Sequence, residues 1–216
     1  MKYGNLTLGQ IEAGVNKIGG EEAFLKLLRG ELTVSEPVRR WMEKDGVIYF
    51  SVVSDGTTGP QWIRRLEKKD FRLSKWAKDV LNSPNFKPTN GTIYNCAVIK
   101  GEFFSDENRI TSKIRAEADG RKFTKPNAEV ACLIRENFSD EEIEAMGLWW
   151  LIIMHKPIND SDGDPLLLGA NRYDEGRWLN AYYDRPDNRW NRENGFVFLA
   201  PLLSSFLSCL CGRVLF

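Results

Sequence analysis

From Leu148 onward the apolar residues stop recurring at helical spacing and gather into short runs: "LWWLIIMH", "LLLGA", "RWLNAYY" and "FVFLA". Runs of this kind, rich in aromatic and aliphatic residues and separated by polar clusters, are the signature of strands. They follow a block of helical spacing, which itself follows another strand, "TIYNCAVIKGEFF" at 92–104. An order of strand, helices and then consecutive strands specifies an α+β fold with an antiparallel sheet.

The first part of the chain is mostly helical. Leu8, Ile11, Val15 and Ile18 recur at helical spacing, with Thr7 and Gln10 placed to form a capping box. Gly19 and Gly20 break this helix, and "EEAFLKLLRG" forms a second one closed by Gly30. "GVIYFSVV" at 46–53 is a strand, after which "SDGTTGP" turns the chain and Pro60 opens a helix. Helices are expected near 60–69, 74–82, 107–119, 127–137 and 140–146, the last capped by Ser139 with Glu142 three residues on. The breaker-rich "NSPNFKPTNG" marks an expected domain boundary. It divides a mixed helical module, 1–88, from a second domain, 89–200, which is followed by an apolar tail, 201–216.

Composition excludes several functions. Thirty basic residues offset thirty acidic ones, which argues against nucleic acid as a partner, because phosphate neutralisation requires a basic excess. Cys96 and Cys132 sit alone in apolar segments, and Cys209 and Cys211 form "CLC" rather than a metal-binding pair. No metal, cofactor or disulfide framework is expected. "MKYGNLTLGQ" has no apolar core of a signal peptide, so the expected compartment is the cytoplasm. Residues 196–216 carry one charge, Arg213, over a length that could span a bilayer. Pro201 and Gly212 favour a buried strand with an apolar extension over a tail anchor.

Catalytic motifs are incomplete. "DSDGDP", Asp160 to Pro165, opens like a calcium loop, but Pro165 stands where a sharp turn needs glycine and Asn171 where a bidentate Glu is needed. "SDGTTGP" lacks the Lys and hydroxyl of a phosphate-binding loop. His155 is the one histidine, so any His-dependent triad must use it, and it ends an apolar strand. A carbohydrate-active or metal-assisted hydrolase would have to draw on Asp160, Asp162, Asp164 or His155, with the tryptophans as sugar platforms.

The stretch 171–195 is of a different kind. Five Asn, five Arg, three Tyr and three Asp crowd around Trp178 and Trp190, without a single Lys or Ser. Solvated loops favour Lys, Glu, Ser and Gly, whereas Tyr, Trp, Arg and Asn dominate contact surfaces because they offer large area and directional hydrogen bonds. The expectation is a binding surface.

"GRWLNAYYDRPDNRWNRENGFVF" also resembles the C-terminal variable region of proteins diversified by diversity-generating retroelements, whose variable residues stand on a C-type-lectin fold. The resemblance covers about 170–200. It implies a C-type-lectin-like, non-enzymatic display protein whose partner is a protein ligand. The fixed frame would be Gly176, Trp178, Trp190, Gly195, Phe196 and Phe198. The ligand-binding set would be drawn from Asn180, Tyr182, Tyr183, Asp184, Arg185, Asp187, Asn188, Arg189, Asn191, Arg192 and Asn194. Trp190-Asn191-Arg192 stands where calcium-dependent lectins carry Trp-Asn-Asp, so the likeness does not extend to calcium.

Overall fold

The computed structural model describes residues 7–33, 40–173 and 176–201. The apolar tail expected beyond Pro201, with Cys209 and Cys211, lies outside the described residues. No described helix is long and apolar enough to cross a membrane. The chain forms two compact units, Met1–Arg39 and Arg40–Phe216.

The first unit contains α1 (Leu8–Lys17) and α2 (Gly20–Leu28). The capping box forms as the spacing requires: Gln10 N–H donates to Thr7 Oγ1, and Thr7 N–H donates back to Gln10 Oε1. Gly19 and Gly20, at φ 107° and 85°, make the joint that a side chain would resist.

The second unit carries a nine-stranded sheet made of β1 (Met42–Lys44), β2 (Val47–Asp55), β3 (Arg72–Leu73), β4 (Asn90–Lys100), β5 (Trp150–Ile153), β6 (Ile158–Asn159), β7 (Pro165–Tyr173), β8 (Gly176–Tyr183) and β9 (Asn194–Leu199). The strand order is β1-β2-β4-β9-β5-β7-β8-β3, with β6 beside β7. Pairing is antiparallel except for β5 with β9 and β3 with β8. The helices are α3 (Gly59–Glu67), α4 (Lys75–Asn82), α5 (Thr111–Gly120), α6 (Val130–Asn137) and α7 (Asp140–Ala145). A mixed α+β architecture with a mostly antiparallel sheet is what the order of elements specifies.

Strand alternation feeds two cores. Ile48, Phe50 and Val52 of β2 join Trp62, Leu66, Val80, Leu81, Leu133 and Ile143 from α3, α4, α6 and α7 on one face. On the other face, Val47, Ala97, Ile99, Phe196 and Phe198 meet Ile114 and Ala118 of α5, together with Phe104 and Trp190. Each buried Val, Leu, Ile or Phe side chain among them contributes about 1.5–3 kcal/mol by leaving water. β9 lies between β4 and β5 and feeds both cores, which is why "GFVFLA" reads as a continuous apolar run.

The expected boundary near residue 88 is corrected. β2 pairs with β4 from Val47↔Ile99 to Asp55↔Asn90, so the breaker-rich segment is a connection within one sheet. Phe86, in the middle of that segment, is buried. Breakers end a helix in the same way that they end a domain, and the compact unit begins instead at Arg40. Arg40 is clamped there by Glu142 at 2.7 Å.

Candidate ligand-contact surface

Residues 184–193 join β8 to β9, and main-chain bonds hold this turn along its whole length. Asp184 N–H donates to Pro165 O at 2.8 Å, and Asn188 N–H closes back on Arg185 O at 3.0 Å. The start of α5 then grips the turn: Ser112 N–H donates to Pro186 O at 2.9 Å and Thr111 N–H to Asn188 O at 3.2 Å. Ile110 and Arg189 form an antiparallel bridge, and Trp190 N–H donates to Arg109 O at 3.1 Å. At the far end Trp149 N–H donates to Glu193 O at 2.9 Å.

Gly101 makes the closest approach. A Cβ there would lie 2.7, 2.8 and 2.9 Å from the carbonyl oxygens of Asn191, Arg192 and Asn194. Only glycine lets three carbonyls converge on that point. Arg109, buried beneath the turn, fixes this corner by donating to Gly101 O and Phe104 O, each at 2.8 Å.

The side chains of the turn divide by direction. Tyr183, Arg185, Asp187, Arg189, Asn191 and Arg192 are exposed, and Asn180 and Asn188 are half-buried. Arg185 lies over the Tyr183 ring at 5.0 Å, which presents a cation and an aromatic face together.

Three residues of the expected contact set belong to the frame. Asn194 is buried at 1 % exposure, because it begins β9 opposite Trp150. The Asp184 side chain, 4 % exposed, pairs with Arg115 of α5 at 2.9 Å. Tyr182 is half-buried, stacked on Trp150 at 5.6 Å and edge-on to Trp190 at 5.8 Å. Polar composition marked these positions, but composition does not say which way a side chain points.

Most of the positions expected to be fixed pack against neighbouring groups. Trp190, Phe196 and Phe198 are buried. A Cβ on Gly195 would meet Val98 Cγ1 at 2.7 Å. Trp178 is half-buried beneath the Arg72 guanidinium at 5.6 Å.

Sheet register also assembles a row that spacing in the sequence cannot reveal. Arg72, Trp178, Asn171, Trp150 and Asn194 stand directly opposite one another across five strands. With its amide oxygen turned to Trp150, Asn171 accepts from that indole Nε1 at 3.2 Å and donates to Gly169 O at 3.1 Å. This buried asparagine locks the aromatic floor from which the turn departs.

The remaining motifs resolve as structure. Both nitrogens of the buried His155 are engaged: Nδ1 with Lys156 O at 2.6 Å, and Nε2 as acceptor from Leu168 N–H at 3.0 Å. Burial lowers its pKa to about 4, so the ring is neutral. Asp160 Oδ1 accepts from the N–H groups of Asp162 and Asp164, both at 2.9 Å, and so builds the turn between β6 and β7. No group of three or more His, Cys, Asp or Glu among the described residues could hold a metal. In "SDGTTGP", hydrogen bonds from Thr57 and then Arg65 hold the Asp55 carboxyl down at about 2, which places a negative charge in a loop that would have to receive phosphate. Cys96 and Cys132 are buried free thiols, and burial pushes both upward in pKa.

Comparison with known proteins finds no matching family model, curated protein or solved structure.

Proposed function

We propose that this chain is a non-enzymatic ligand-binding protein whose 183–193 segment is a replaceable contact surface. In this reading it does the work of the variable protein of a diversity-generating retroelement. The compact unit that begins at Arg40 is then a C-type-lectin-like display frame, and the ligand is a protein. The working set is Tyr183, Arg185, Asp187, Asn188, Arg189, Asn191 and Arg192, with Asn180 at its margin. Tyr182, Asp184 and Asn194 support it from beneath.

One observation carries the reading: the turn is held by main-chain groups and buried residues, while its exposed side chains hold almost nothing. Among the described residues the Arg189 side chain donates to Asp106 O alone, at 3.4 Å, and Arg185 comes no nearer than 3.8 Å to Asp164. Substitutions at such positions cost less than about 0.5 kcal/mol. A protein ligand suits the chemistry, because Tyr and Arg are the residues on which protein interfaces concentrate their affinity.

The test is the DNA beside the gene together with the protein itself. The expected finding is a near-copy of the codons for 171–198, differing at adenines and close to a reverse transcriptase gene. Joint replacement of Tyr183, Arg185, Asp187, Arg189, Asn191 and Arg192 by serine should leave the thermal midpoint within a few degrees of the parent. Absence of the repeat, or unfolding of the serine variant, rejects the reading.

A further inference from the structure

We infer that α1 and α2 form a dimerisation element that pairs with the same two helices of a second copy of this chain. The inference is independent of the proposed function. Neither helix contains a buried residue. Leu8 is 72 % exposed, Ile11 47 %, Leu25 43 % and Leu28 67 %, and Val15, Ile18, Phe24 and Leu27 are only half-buried. Two helices this short do not hold their shape on propensity alone, and a unit of this size needs a partner to complete a core.

The charge layout identifies that partner. On α2 the exposed row Glu21–Leu25–Leu28 runs beside the row Glu22–Lys26–Arg29, so the acids lie at the helix start and the bases at its end. A two-fold axis across Leu25 and Leu28 sets the α2 helices antiparallel. Within one copy Lys26 pairs with Glu22 at 2.9 Å and Arg29 with Glu31 at 2.8 Å. Across the axis Glu21 and Glu22 of one copy face these same bases of the other, twice over, and extend the pairs into a network. Such an isologous surface is self-complementary, as a symmetric dimer requires. Along α1, Glu12 and Lys17 cancel, so the hairpin offers no single sign of charge to a strongly charged partner.

The test is the mass in solution of the full chain, measured by light scattering on a sizing column at about 50 μM, a concentration at which a micromolar dimer is populated. The parent should run at twice the 24.8 kDa of one chain. Glu21→Lys with Glu22→Lys makes the α2 row entirely basic, and Lys26→Glu with Arg29→Glu makes it entirely acidic. Each variant alone should be monomeric, and an equimolar mixture of the two should return to the dimer mass. The exchanges also break the Glu22–Lys26 and Arg29–Glu31 pairs within one copy, so it is recovery of the dimer mass on mixing, which an unfolded helix would not give, that reports pairing. A monomeric parent, in which the hairpin is left open or covered from within its own chain, overturns the inference. So do charge variants that stay dimeric alone, and so does a mixture that fails to associate.

Discussion

The indole Nε1 of Trp190 donates a 3.0 Å hydrogen bond to Thr111 Oγ1 at the buried start of α5, which ties the contact turn to the helix beneath it by a side chain as well as by backbone. Thr111→Val keeps the shape and removes the acceptor, leaving a buried donor unpaired. The expected loss is about 1–3 kcal/mol in urea unfolding. Thr111→Ser keeps the hydroxyl and should cost no more than about 1 kcal/mol for the lost methyl. Equal losses for Val and Ser would exclude the hydrogen bond as the cause.

Neighbouring tyrosines should respond in opposite ways. Tyr182 packs between Trp150 and Trp190, so Tyr182→Ala should lower stability by about 2–4 kcal/mol. Tyr183 is 41 % exposed at the end of β8, so Tyr183→Ala should change stability by no more than about 0.5 kcal/mol. Chemical denaturation of the two variants settles the division between frame and surface.

Glycine replacement separates contact from conformation. Gly101→Ala drives a methyl into three carbonyl oxygens and should cost about 3 kcal/mol or more, with spectral change at Trp190. Gly120→Ala, at the end of α5, meets nothing within 4 Å and should stabilise by about 0.5 kcal/mol. Thermal melts that moved the same way for both would contradict the convergence at Gly101.

The chain has one histidine, so its proton resonance is unambiguous. Burial lowers the folded pKa of His155 from 6.5 to about 4. The unfolded chain therefore takes up a proton in this window while the folded one does not. This contribution is complete above pH 6.5 and lost as the pH falls toward 4, about 3 kcal/mol in all. Asp55, held down to about 2, adds its own loss only at more acidic pH. A titration midpoint near 6.5 in the folded protein would refute the sealed environment.

Much of the fold is legible in the sequence because its signals are local. The caps at Thr7 and Ser139 fall where spacing puts them, and Pro60 lies in the first turn of α3. What spacing cannot supply is which remote segment meets which. Nothing joins 101–115 to 184–194 in the sequence, yet Gly101, Arg109, Thr111 and Arg115 make the seat of the turn. Alternation along β8 sets Leu179 and Ala181 against Tyr182 on opposite faces. It does not disclose that Trp150 and Trp190 cover the Tyr182 side, so Tyr182 reads like its exposed neighbour. The boundary at residue 88 fails for a related reason: pairing of β2 with β4 overrides a stretch whose composition looks like a linker.

The position of β9 has a consequence for how the molecule is made. It is the last described strand in chain order and the one that joins β4 to β5, so the two halves of the sheet stay apart until the ribosome has passed residue 194. A stop codon or frameshift arising in the stretch just upstream removes this keystone and leaves two raw edges for proteolysis to find. Only in-frame products would close the sheet and escape that fate.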